Sequence, residues 1–159
     1  ALPRLERGAR GALTSDPWRH LAECCLRLDD PARWAQGVEA ARRGLALDPY
    51  AVVYYSPAAR PVAGDPRLHR VIARLRARQG KLGAAIAHHM RAFMVGQNRA
   101  AKALGKDYTD ALEAGDLHER MGLYNEALAL WGMAKGDEKL AEQAEQRSQR
   151  LIQRLGGPR

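Results

Sequence analysis

Aromatic side chains are scarce. They make up 6% of the 159 residues, with a single phenylalanine, while alanine and arginine are plentiful. That balance favours helix over sheet. Long apolar runs are also missing. No stretch approaches 18 consecutive apolar residues, which excludes a transmembrane helix. Cysteine is limited to the adjacent pair Cys24 and Cys25, whose spacing is wrong for bridging to each other. There is no C-x-x-C, so neither a zinc knuckle nor a thioredoxin-type motif is present, and a reducing compartment is the expectation. Recognisable catalytic signatures are missing too. The chain has no H-E-x-x-H, no G-x-S-x-G, no phosphate-binding glycine loop and no paired carboxylates at a telling spacing. No enzymatic activity, cofactor or metal is therefore expected.

What is present describes a folded chain. Charged residues are 28% and hydrophobic ones 46%, which argues against wholesale disorder. A chain of 17.6 kDa is long enough to bury a core without disulfides or metals. The formal net charge is +8, and it is unevenly spread. Residues 1–63 carry a net of +2 and residues 107–159 a net of −3, whereas residues 64–106 hold ten basic side chains and one acid, a net of +9. A basic block of this kind suits an anionic partner: an acidic protein surface, RNA or lipid headgroups. The first residue, Ala1, followed by Arg4, Arg7 and Arg10, fits a trimmed organellar (mitochondrial) or secreted protein; a bacterial cytoplasmic location is the other expectation.

Punctuation along the chain predicts a series of helices. Leu2, Leu5, Ala9 and Ala12 share a face of a short N-terminal helix within an extension spanning 1–14. Asp30-Pro31 and Asp65-Pro66 each read as cap and first-turn proline, and so does Pro17 with Asp16 or Ser15 as its cap. They predict helices over about 17–28, 32–47 and 67–79. Glycines 80, 105 and 122 then separate helices over about 83–104, 107–121 and 125–134, and a last helix covers 137–155, with Leu140, Ala144, Leu151 and Leu155 on one face. Residues 50–64 read as an irregular insertion. Val52, Val53, Tyr54 and Tyr55 form its one β-prone run, too short to build a sheet.

Two of the helix pairs share a pattern. Ala73 precedes the turn residue Gly80 by seven, and Ala85 follows it by five; Gly115, Gly122 and Ala127 repeat that spacing. A glycine ends the first helix, small residues let the two antiparallel helices approach, and large apolar residues fill the groove. A looser third pair places Trp18, Leu21 and Ala22 on its first helix and Gly37, Ala41 and Gly44 on its second, closing on Leu47-Asp48-Pro49. Over about 15–136 this arrangement resembles the tetratricopeptide repeat family. The resemblance implies an all-α, TPR-like α-solenoid of about three divergent helix pairs, with 137–155 as a C-terminal capping helix. The spacing departs from the family's usual period: Gly37, Ala85 and Ala127 stand 48 and 42 residues apart, with the extra length in 50–64 and around 97–106.

Candidate binding residues follow from these patterns. Arg67, Arg70, Arg74 and Arg78 recur every three or four residues and form one stripe of a helix, with Leu68, Ile72 and Leu75 as its apolar stripe. In the resembled family the equivalent stripe faces a peptide-binding groove, which implies a groove floored by guanidinium groups suited to carboxylates or phosphates. Arg19 and Glu23 stand where the family's chaperone-binding clamp would begin, so a chaperone tail is not the expected ligand. Tyr50, Tyr54 and Tyr55 make the proline-rich connection a second candidate interface. His69, His89 and His118 fall on packing positions, and the adjacent His88 and His89 point about 100° apart, a poor chelating pair. Trp18 and Trp131 are expected in the core. The function expected is that of a non-enzymatic scaffold or accessory subunit within a multi-protein assembly, whose partners are protein subunits with an acidic surface. The alternative is an RNA-binding helical-repeat subunit of a ribosomal or RNA-processing complex, although the basic helix lacks the aromatic platforms that single-stranded RNA favours.

Overall fold

The computed structural model describes residues 2–47, 50–52, 61–97 and 108–156. The described residues are all-α apart from one small ribbon. Eight helices among them are α1 (Leu2–Arg10), α2 (Asp16–Arg27), α3 (Pro31–Leu47), α4 (Pro66–Arg78), α5 (Leu82–Gln97), α6 (Thr109–Arg120), α7 (Tyr124–Ala134) and α8 (Glu138–Arg154). The ribbon pairs β1 (Tyr50–Val52) antiparallel with β2 (Pro61–Ala63), in the register Tyr50 to Ala63 and Val52 to Pro61. This corrects the expectation of an irregular connection with no strand. Of the β-prone run, Val52 pairs with Pro61, which tolerates an edge position. Residues 98–107, which include the predicted continuation of α5 to 104, lie outside the described residues. No helix among the described residues is long and apolar enough to cross a membrane.

The helix starts follow local chemistry. Asp65 accepts from the Arg67 N–H at 2.8 Å, Asp137 from the Lys139 N–H at 3.0 Å and Asp30 from the Ala32 N–H at 2.9 Å. Each satisfies a backbone donor that a helix start leaves orphaned. Ser15 stands before α2 without such a bond; Pro17 in the first turn lacks an N–H altogether. Gly80 and Gly122, with φ of +74° and +76°, end α4 and α6 in the left-handed conformation that only glycine adopts at no steric cost.

Packing divides the chain into two compact units, 1–105 and 106–159. In the first, α2 packs on α3, α3 on α4 and α4 on α5. Its core joins Trp18, Leu21 and Cys25 of α2 to Val38 and Ala41 of α3 and to Leu68, Ile72 and Leu75 of α4. The three-residue links after α2 and α4 make each following helix an antiparallel neighbour. Gly37 lies at the tightest of these crossings. A Cβ there would stand 2.8 Å from Cys25 Cβ and 2.9 Å from Leu75 Cδ1. Gly37→Ala is therefore expected to cost about 1–3 kcal/mol by overpacking, in spite of alanine's better helix propensity. A thermal melt checks it, and an unchanged midpoint would refute the close contact.

In the second unit α6 packs on α7 and α7 on α8. Leu112, Ala127, Trp131, Ala134, Ala144 and Leu151 form its core, with Leu140 packed against it. Leu155 does not complete the predicted apolar face of α8: it caps the helix and is 53% exposed. Asp116 joins all three helices. Its Oδ1 accepts from Trp131 Nε1 at 3.1 Å and from Arg147 Nε at 2.8 Å. At the open end, Arg154 pairs with Glu119 at 3.1 Å and lies over the Tyr124 ring.

Candidate binding surface

The predicted arginine stripe exists on α4, but its members differ. Arg67 and Arg78 are exposed, whereas Arg70 and Arg74 are half-buried. Arg67 grips Asp65 with Nη2 at 2.9 Å from Oδ2 and Nε at 3.1 Å from Oδ1, around a carboxylate that is almost fully buried. Arg78 donates to the Leu28 carbonyl at 3.3 Å and lies 5.8 Å over the Trp34 ring, while Trp34 Nε1 donates to the same carbonyl at 2.7 Å. The two outer arginines of the stripe thus fasten α4 to its own cap and to the end of α2. The apolar stripe of Leu68, Ile72 and Leu75 is fully buried, so the helix is oriented by packing and its arginines lie beside the core.

Tyr50 contributes its backbone to β1; Tyr54 and Tyr55 lie outside the described residues. Trp18 and Trp131 are buried in the core, and His89 is 1% and His69 6% exposed. His118 uses Nδ1 to reach the Ala114 carbonyl at 2.8 Å.

Two features escaped the sequence reading. The first is a histidine pair. His69 Nδ1 of α4 and His88 Nδ1 of α5 are 3.1 Å apart, and the ring centroids are separated by 5.3 Å. One ring must donate through Nδ1 and the other accept, so the bond excludes a state in which both rings are imidazolium. Burial, then His69, Arg91, Arg42 and Arg76, hold the His88 imidazole down at about 4. The second feature is a cleft of about 180 Å³ lined by Glu6, Arg10, Trp18, Leu21, Glu39 and Arg43. Glu39 and Arg43 pair across 3.0 Å and Arg43 lies over the Trp18 ring, so opposite charges largely cancel there.

Neither feature assembles a nucleophile with a base. Burial pushes the Cys25 thiol up, away from thiolate chemistry. Among the described residues, no three His, Cys, Asp or Glu side chains converge on a metal-sized site. Comparison with protein-family models, with curated proteins and with solved structures finds no match.

Proposed function

We propose that this chain is a non-enzymatic, TPR-like scaffold or accessory subunit that docks to acidic protein partners within a larger assembly. The observation that carries the reading is the set of three helix hairpins. Each is closed by a short turn, and each buries a glycine or alanine of the repeat pattern (Gly37, Ala85, Ala127) at a helix crossing. Helix pairs of this construction stack into solenoids whose surfaces bind other chains. The net +9 block supplies the complementarity, since charge matching steers and orients association. The stripe from Arg67 to Arg78 is the proposed contact, with Arg70 and Arg74 at its centre.

The test uses a fluorescent polyglutamate peptide as the acidic probe. Arg70→Glu with Arg74→Glu is expected to weaken its binding at least about tenfold, and Arg70→Gln with Arg74→Gln to weaken it less. Thermal midpoints measured alongside separate lost binding from lost folding. Unchanged binding by a folded double variant refutes the stripe. The RNA alternative is favoured instead if a single-stranded oligouridine binds more tightly than the peptide, with an affinity that falls steeply with salt.

A further inference from the structure

The basic block does more than line one face of α4. Arg76 follows His69 by seven residues, two helical turns, so the two share a face about 150° around the helix from the Arg67–Arg78 stripe. On α5, Arg91 follows His88 by three residues and shares its side. On α3, Arg42 precedes Leu45 by three residues; Leu45 lies near Gly64, and Gly64 lies against the His69 ring. Three successive helices therefore each bring an arginine towards one histidine pair.

The local hydrogen bonding leaves these cations underused. Arg76 donates one nitrogen to Gln79 at 2.8 Å. Arg42 and Arg91 are exposed and make no hydrogen bond or ion pair among the described residues. The acids that could neutralise them are taken: Glu39, one turn before Arg42, accepts from Arg43, and Asp65 is held by Arg67. A cation would be repelled here, so the two imidazoles, although close enough to share a metal, do not make a metal site.

We propose that Arg42, Arg76 and Arg91, grouped around the His69–His88 pair, form an anion site for a phosphoryl group of the free-phosphate or phosphomonoester class. A planar carboxylate offers two oxygens and suits a single guanidinium fork. Three guanidiniums arriving from three helices match a tetrahedral group with three terminal oxygens and nearly two charges. The site is separate from the α4 stripe and does not depend on the docking reading above.

His88 is the reporter. In a chain labelled with nitrogen-15, its ring is followed by NMR at constant ionic strength, first with sulfate as a dianion of fixed charge. Without sulfate His88 titrates at about 4; with saturating sulfate the midpoint rises by at least about one unit, because a bound dianion favours the imidazolium. At pH 7.5, inorganic phosphate and phenyl phosphate shift the ring saturably, and dimethyl phosphate, a monoanionic diester, does not. Tighter binding of inorganic phosphate assigns the free ion as ligand; equal or tighter binding of phenyl phosphate assigns a phosphomonoester. Arg42→Gln and Arg91→Gln, both at exposed positions, each weaken binding about tenfold while the fold is retained. The proposal is overturned if no saturable shift occurs, if dimethyl phosphate acts as strongly as phosphate, or if both folded variants bind as the wild type does.

Discussion

Trp131→Ala is expected to destabilise the second unit by about 3–5 kcal/mol, the usual cost of emptying a large aromatic site. Trp131 is fully buried among α6, α7 and α8, and its N–H is one of two donors on Asp116. Burial pushes the Asp116 carboxyl up, while Arg147 and the Trp131 N–H pull it back. The truncation therefore removes both the ring and part of the charge compensation. A unit spanning 106–159 has little stability to spare. Hydrogen exchange in α6 to α8 should approach that of an unfolded segment, while α2 to α4 stay protected. The same ring explains Gly115. A Cβ there would lie 2.5 Å from Trp131 Nε1 and 2.6 Å from Cδ1, and the ring, held by Asp116, has nowhere to move. Gly115→Ala should cost about 1–3 kcal/mol in the wild type. In a Trp131→Leu background the same change should become neutral or stabilising, because only the helix-propensity gain remains. Additive effects in that cycle would show that the glycine is not there for the indole.

The Gly115–Trp131 contact marks what sequence can deliver. The helix starts at Asp65 and Asp137, the turn glycines 80 and 122 and the small residues facing each hairpin were all readable, because each depends on neighbours within a turn or two. The arginine stripe was readable as a periodicity. Its internal use was not: Arg67 folds back on its own cap, and Arg78 reaches a carbonyl 50 positions away. The β1–β2 ribbon was missed for a similar reason, since a strand of three residues is defined by its partner rather than by its own composition. The histidine pair lay within reach. His69 precedes Ala73 by four residues and His88 follows Ala85 by three, so the antiparallel register that sets Ala73 against Ala85 brings the two imidazoles level. Along the sequence His88 neighbours His89, and only the hairpin register makes it the partner of His69.

Acidification is the other condition expected to act strongly, and it acts on the first unit through the same pair. An unfolded imidazole binds its proton near pH 6.5, whereas His88 in the folded chain does so only at about 4. Between those values the unfolded state holds more protons, so stability rises with pH in that window. The contribution is complete above pH 6.5 and is lost as pH falls towards 4. The shift corresponds to about 2–3 kcal/mol once partial exposure is allowed for. The loss has a structural form: a proton on the accepting Nδ1 ends the 3.1 Å bond and places an imidazolium among Arg42, Arg76 and Arg91. Asp116 works in the opposite sense in the second unit. Its carboxyl is raised by burial, so protonation there relieves a cost as pH falls. Urea unfolding of the first unit, followed between pH 7 and 4, should show the decline in the wild type. His88→Asn should be less stable at pH 7 and nearly flat across that range. A variant with the same slope as the wild type would assign the acid sensitivity to other groups and leave the His69–His88 bond without a role in it.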